Sequence, residues 1–280
     1  GIRDQPRSRG LGDVYKRQVG EAALPVLMVI TITLIGWRAS YGLSALVTVL
    51  IILPVAMWLL SGYDFHSDRH QTARASGTGH SETPSAWSRK DVIKDFRFYL
   101  LLPAASTPSL VVTALFFHHL SLAELKNWEI IWFTGSYWIY ALGSVIAMLA
   151  TGPMIDKYSA VRVLPGFLIP SAVALSIVWA FNSAWWAWPY LFLLGSTGGI
   201  AHTGLTALWA EIYGIKNLGA IKSLFTSISV FVSALGPLSM GILMDNGISI
   251  ETICIIFATY CITTSCLLVI ALKGYKPNTI

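Results

Sequence analysis

One imidazole lies inside a long apolar stretch of this sequence: His202, with no Asp, Glu, Lys or Arg anywhere between residues 163 and 210. An imidazole changes charge in the physiological pH range, so in apolar surroundings it can relay a proton or donate to an anion. The alternative is a neutral histidine that only packs and hydrogen-bonds. His118 and His119 end an earlier apolar stretch, where solvation at its rim is the alternative. We therefore expect His202 to couple proton movement to function, with His118 and His119 as further candidates.

Hydroxyl-bearing residues occur beside prolines or glycines in two apolar stretches, 98–120 and 185–209. Proline frees a backbone carbonyl, and glycine allows helices to approach or bend, so both stretches are predicted to be broken helices with polar groups available to a ligand. Close helix packing alone is the alternative reading of the glycines. Two tyrosines share a helix face at spacing i, i+3. The candidate cavity residues are Ser106, Thr107, Ser109, Tyr137, Tyr140, Thr197 and His202.

The composition excludes several classes of protein. Of 280 residues, 55% are hydrophobic and 12% charged, and the mean hydropathy is +0.64. Soluble globular chains carry about 25% charged residues. An ordinary soluble enzyme and a disordered chain are therefore excluded. Basic residues spread over short loops also argue against a nucleic-acid partner. The expected partners are the lipid bilayer and a small solute.

Apolar runs of about 20 residues, the length of a membrane-spanning helix, recur along the chain. Runs of this length are too long for barrel strands. The predicted fold class is all-α, a polytopic bundle of eight transmembrane helices. The runs cover residues 19–36, 41–61, 98–120, 129–151, 163–181, 185–209, 221–244 and 252–272.

The distribution of Lys and Arg predicts the orientation. Twelve of these residues fall on one side of the predicted helices, six of them in the polar stretch 62–97, against only Arg38 and Lys126 on the other. Cytoplasmic loops carry the excess of positive charge. We therefore expect a cytoplasmic C-terminus, in what is most simply a bacterial inner membrane.

The first residues differ from the rest of the chain. Residues 1–18 have no apolar core or cleavage site of a signal peptide, and 12–18 resembles translated sequencing-adaptor read-through; a native basic tail is the alternative. The expected organisation is a non-native leader, two helices, a cytoplasmic linker and six further helices. These segments are 1–18, 19–61, 62–97 and 98–280.

A loop motif carries the first family resemblance. Gly152-Pro-Met-Ile-Asp156-Lys157, followed by Arg162, resembles the cytoplasmic signature of the major facilitator superfamily, although Ser159 stands where that signature usually has glycine. A plain positive loop is the alternative. The stretch 210–223 is similar to the matching loop of members related to monocarboxylate and oxalate/formate porters. The candidates for a gate at the cytoplasmic face are Gly152, Asp156, Lys157, Arg162, Glu211 and Lys216.

The resemblance implies a twelve-helix secondary transporter, here without its first four helices, that moves a small solute by alternating access. It implies a six-helix half built as three plus three, and an organic acid, with a proton as co-substrate in symport. No Lys or Arg is expected in a span to bind a carboxylate. No cofactor or metal is expected, since the sequence has no ATP-binding loop and Cys254, Cys261 and Cys266 lack metal spacing. The alternatives are a non-transporting scaffold or sensor and a membrane-embedded enzyme, although the spans show no catalytic motif.

Overall fold

The computed structural model describes residues 27–28, 31–32, 34–61 and 87–273. These residues are 89% helical and contain no strand, which confirms the predicted all-α class. Within them, seven helical segments are long and apolar enough to cross a membrane. Most of the predicted span 19–36, all of the leader 1–18 and most of the linker lie outside the described residues. The seven segments are Leu34–Val55, Phe96–Phe117, Ile130–Tyr158, Ala160–Ala180, Ala184–Tyr213, Leu218–Asp245 and Ile250–Leu272.

The first of two compact units spans Leu27–Ser85. Its described part is helical, with a π-helical turn at Thr48–Ile52 followed by α-helix Leu53–Ser61. The hydroxyl of Ser44 donates to the sulfur of Met28 at 3.4 Å. Sixteen residues would extend about 24 Å along a straight helix, so the chain must reverse between them.

One prediction for this unit is corrected. Gly36 has φ +79°, a conformation that glycine adopts freely, whereas the expected loop at residues 37–40 is helical. Arg38, expected in that loop, belongs to the helix, and its guanidinium lies 4.9 Å from the ring centre of Trp37.

The second unit contains six long helices, which we number α1 to α6. Short helices connect or precede them at Arg89–Lys94, His119–Lys126, Ile130–Gly135, Ala160–Val163, Leu164–Gly166 and Ala184–Trp186. The six long helices are Phe96–Phe117 (α1), Tyr137–Tyr158 (α2), Ile169–Ala180 (α3), Ala187–Tyr213 (α4), Leu218–Asp245 (α5) and Ile250–Leu272 (α6).

The packing of these six helices has an internal regularity. The most extensive pairs are α2 with α4, α1 with α5, α3 with α6, α3 with α4, and α1 with α6. Exchanging the first three helices with the last three, in order, converts this set of pairs into itself. The packing therefore has the form expected of a three-plus-three repeat. We call the end where α1 and α5 begin the basic end, because Lys157, Arg162 and Lys216 lie there, and the opposite end the aromatic end.

Three glycines let α2 and α4 touch backbone to backbone. A Cβ atom added to Gly195 would lie 2.0 Å from the carbonyl oxygen of Tyr140, and one on Gly199 would lie 2.1 Å from that of Ser144. On the facing helix, a Cβ on Gly143 would lie 2.3 Å from the carbonyl oxygen of Phe192. Close packing thus accounts for Gly195 and Gly199.

The predicted breaks in the helices are not present. Both α1 and α4 are continuous, although α1 contains Pro103 and Pro108. In α1, the hydroxyl of Thr107 donates to the carbonyl of Pro103 at 2.8 Å, so a side chain supplies a hydrogen bond near the prolines. Hydroxyls and neighbouring helices can satisfy backbone groups at such positions without a break in the helix.

The helix Arg89–Lys94 is anchored on the start of α5. Ser88 and Asp91 form a reciprocal N-terminal cap, and the Ser88 hydroxyl and backbone N–H hold the pKa of the Asp91 carboxyl below its usual value. This cap is therefore complete at neutral pH and weakens as the pH falls through that lowered pKa. Arg89 donates from Nε to the Ala220 carbonyl at 3.1 Å and from Nη2 to Ser223 Oγ at 2.9 Å.

We expect Gly195→Ala to lower the free energy of unfolding by about 1–3 kcal/mol, because the added methyl forces α2 and α4 apart. Gly219→Ala is the matched control, since nothing lies within 4 Å of a Cβ there. Thermal unfolding of the detergent-solubilised protein measures both. Equal melting temperatures for the two variants would contradict the close helix contact.

Candidate functional site

A cavity of about 1090 Å³ lies within the second unit, among α1, α2, α4 and α5. This volume is at the upper end of the range for small-molecule sites. Its lining combines hydroxyl, imidazole and ammonium groups with aromatic rings. The lining residues are Ala105, Pro108, Ser109, Val112, Thr113, Phe116, Phe117, Tyr140, Gly198, Ala201, His202, Leu205, Thr206, Trp209, Lys222, Phe225, Thr226, Ser229, Val230 and Ser233.

The α5 side of the cavity is polar. Lys222, Thr226, Ser229 and Ser233 all line it, at spacings of four, three and four residues. These intervals place successive side chains on one face of a helix. α5 therefore presents a row of one ammonium group and three hydroxyls, which we call the α5 polar row.

Aromatic rings occupy two regions of the cavity wall. Toward the basic end, Trp209 of α4 stacks on Phe225 of α5, with ring centres 3.7 Å apart and planes 12° from parallel. Toward the aromatic end, Phe116 of α1 meets Tyr140 of α2 edge to face at 5.2 Å. Such contacts fix the orientation of the rings in the cavity wall.

Of the predicted cavity residues, the structure places Ser109, Tyr140 and His202 in the lining. They come from three different helices. His202 is exposed on α4, and it forms an interaction of its own, as Tyr140 does. The imidazole singled out in the sequence is thus part of the cavity wall.

The other four predicted cavity residues are buried in helix interfaces. Ser106 lies behind the wall, with its hydroxyl 3.3 Å from that of Ser229. Thr107 pairs with Thr264 of α6 at 3.2 Å. The remaining two do not line the cavity either, since Thr197 bonds to the Leu193 carbonyl of its own helix at 3.3 Å and the Tyr137 ring packs on Phe116 at 4.8 Å.

Lys222 corrects the expectation that no Lys or Arg lies in a span. The predicted span 221–244 contained Lys222, but this lysine was counted with the positive charges of the loop before the span; in the structure α5 begins at Leu218. The lysine is therefore one turn inside a segment apolar enough to cross a membrane, and it lines the cavity. The sequence contains the pattern that could have predicted this wall of the cavity: polar residues at helical spacing, Lys222, Thr226, Ser229 and Ser233.

The two further histidines lie outside the cavity lining. His118 ends α1, and its Nε2 is 3.2 Å from the carbonyl oxygen of Pro237 in α5. His119 Nδ1 is 2.7 Å from the carbonyl oxygen of Phe116. One ring nitrogen of each histidine thus contacts a backbone carbonyl at the aromatic end. His202, by contrast, lies in the cavity lining.

At the basic end, the carboxylate of Glu211 joins α4 to the connection that follows α2. It accepts from Ser159 Oγ at 2.7 Å, from the Ala160 backbone N–H at 2.8 Å and from that of Val161 at 3.3 Å. Ser159 has φ +73° and ψ 146°, a region that residues other than glycine rarely adopt. The carboxylate therefore holds a strained turn in place.

The comparisons with known proteins place this architecture in a family. The model of the Major Facilitator Superfamily matches residues 18–237 and, separately, 130–279. The chain belongs to the Major Facilitator Superfamily. A comparison with the curated proteins finds no match. As a member, the chain is an integral membrane protein and a secondary transporter of small solutes.

The superfamily signature found in the sequence lies at the basic end. Asp156, Lys157 and Arg162 are exposed there, with Lys157 Nζ 5.0 Å from the ring centre of Tyr158, and Asp156 forms an interaction of its own. Gly152 is half-buried in α2, and Lys216 is exposed in the turn between α4 and α5. Among the predicted gate residues, Glu211 accepts from backbone N–H groups at the start of the short helix Ala160–Val163.

The aromatic end has its own buried ion pair. Lys126, one of the two basic residues assigned to the side opposite the basic loops, is 4% exposed, and its Nζ donates to Glu251 Oε1 at 2.5 Å and to Asn182 Oδ1 at 2.6 Å. Trp128 Nε1 donates to the Asn182 carbonyl at 2.8 Å. These contacts join the connection after α1, the connection after α3 and the start of α6.

We expect Glu211→Ala to lower the free energy of unfolding by about 2 kcal/mol, since a hydrogen bond to a charged group contributes about 1.5–3 kcal/mol. The cost is expected to be smaller in a Ser159→Gly background, because glycine adopts the positive φ without support. Glu124→Ala, which removes an exposed glutamate, is the control. Equal losses from Glu211→Ala and Glu124→Ala in thermal unfolding would refute the role of Glu211 in holding this turn.

Proposed function

We propose that this chain carries a small organic acid through the cavity by alternating access, together with a proton. The α5 polar row, which places a lysine and three hydroxyls of one span on the cavity wall, is the observation that carries the proposal. Polar groups within a span are expensive and are usually retained for a functional reason. In this row they face a cavity large enough for a small organic molecule.

Alternating access requires an N-terminal half of the transporter that rocks against the six-helix unit. We propose that residues 19–61 are the last two helices of that half and that 62–97 links the halves. The lipid bilayer and the remaining helices of the same protein are then the partners. On the positive-inside rule, the basic end and the C-terminus face the cytoplasm, in a bacterial inner membrane.

The basic end supplies the gate in this proposal. Opening toward the cytoplasm would move α4 and α5 relative to the N-terminal half. Glu211 would keep the connection after α2 attached to α4 during this movement, because its three hydrogen bonds join these segments. The proposed gate consists of Gly152, Asp156, Lys157, Arg162, Glu211 and Lys216.

An organic acid is supported by the charges of the cavity. Lys222 and His202 are its basic side chains, and its described lining contains no Asp or Glu. An anion is attracted by such a wall, whereas a cation is repelled.

His202 is the proposed site of proton coupling. It is exposed to the cavity, where Tyr140 from α2 and Lys222 from α5 are the other ionisable groups of the lining. An imidazole in this position can take up a proton when the anion binds and release it with the anion. His118 and His119 are less suited to this role, because they lie outside the cavity lining.

We expect His202→Gln to flatten the pH dependence of transport, because glutamine does not titrate. The full-length protein in proteoliposomes with an entrapped pH dye would be exposed to a panel of organic acids from pH 5.5 to 8. Protein-free vesicles correct for passive diffusion. Thr203→Val, which changes the neighbouring residue outside the lining, is the control. A His202→Gln profile identical to that of the wild type would remove this residue from proton coupling.

A further inference from the structure

We propose, on the basis of the transport function above, that the solute is an organic anion with an apolar body about the size of an aromatic ring. Its carboxylate would bind Lys222, and its apolar body would pack against the rings and aliphatic side chains on α1 and α4. Lys222 is then the residue that selects for charge. The aromatic walls select for the body.

The position of Lys222 suits the binding of a carboxylate. It lies four residues after the first residue of α5, about 6 Å along the helix axis at 1.5 Å per residue. Its side chain is exposed, and it lines the cavity. A carboxylate that leaves water needs compensating charge or hydrogen bonds, and an ammonium group supplies both.

The rest of the α5 polar row offers further donors to the same carboxylate. Thr226, Ser229 and Ser233 follow Lys222 along the cavity at axial steps of about 4.5–6 Å. The Ser233 hydroxyl donates to the Val230 carbonyl at 2.6 Å, so Thr226 and Ser229 are the candidate donors. The hydroxyl of Ser106 lies 3.3 Å from that of Ser229 and positions it from behind. A carboxylate can therefore pass along the row from one hydroxyl to the next without complete loss of hydrogen bonds.

The apolar walls argue against a small hydrophilic acid. Of the apolar lining, Phe116 and Val112 on α1 and Leu205 on α4 are half-buried, whereas the stacked rings of Trp209 and Phe225 are each only 3% exposed. An acid without an apolar body would leave the exposed parts of these α1 and α4 side chains in contact with water. A ring or branched chain would cover them while its carboxylate remains at the polar row.

The experiment measures uptake of radiolabelled probes by the full-length protein in proteoliposomes. Phenylpyruvate and pyruvate share a head group and differ in the apolar body, whereas phenylacetamide and phenethylamine keep the ring but are neutral and cationic. We expect saturable uptake of phenylpyruvate, at least ten-fold weaker uptake of pyruvate, and no uptake of the other two above protein-free vesicles.

Variants then test the role of Lys222. Lys222→Gln is expected to raise the KM for phenylpyruvate at least ten-fold, because it removes a hydrogen-bonded charge pair with the carboxylate. Lys222→Arg keeps the charge, and its KM is expected to stay within about three-fold of the wild-type value. Lys273→Gln makes the same change of charge at the exposed end of α6 and should leave the KM unchanged. An unchanged KM in Lys222→Gln, or equal uptake of pyruvate and phenylpyruvate, would overturn the inference.

A second set of probes separates this inference from the transport function. It contains labelled sugars, neutral amino acids and amines, tested in the same vesicles. If one of these probes is taken up and phenylpyruvate is not, the proposal of an anionic substrate is overturned, but the chain is still a transporter. No uptake in either set would contradict both proposals.

Discussion

The close contact of α2 with α4 is the constraint on which the rest of the six-helix unit depends. Gly143, Gly195 and Gly199 lie where any Cβ atom would overlap a backbone carbonyl group of the facing helix. On the other side of the cavity, Gly236 of α5 is equally close to the carbonyl oxygen of Leu110 in α1. These two backbone contacts fix the helices that carry the cavity wall. The cavity is thus what remains between two tightly packed pairs.

A carboxylate joins segments that are distant in sequence at each end of the unit. Glu211 at the basic end accepts from the Ser159 hydroxyl and from two backbone N–H groups, and Glu251 at the aromatic end pairs with the buried Lys126. The cavity between them has no carboxylate in its described lining, where Lys222 and His202 are the basic side chains.

The sequence predicted the parts of the fold that depend on apolar length, and it predicted the site less well. Runs of about 20 apolar residues identify a membrane helix because the bilayer sets the length, whatever the partners of that helix. Which face of a helix lines a cavity depends on neighbours that a single sequence does not reveal. Ser109 and Tyr140 were identified, whereas Thr107 and Thr197, which also carry hydroxyls, are buried in helix interfaces. Lys222 was missed because it was counted with the charges of the preceding loop, although it lies four residues after the first residue of α5.

The central claim is that the α5 polar row lines the solute path, and site-directed labelling tests it most directly. Ser229 would be replaced by cysteine in a background in which Cys254, Cys261 and Cys266 are changed to alanine or serine. Inside-out and right-side-out vesicles would then be treated with a membrane-impermeant thiol reagent, with and without phenylpyruvate. The account predicts that position 229 reacts from at least one side and that the solute protects it. A cysteine at position 229 that reacts from neither side, or equally fast with and without every transported solute, would contradict the account.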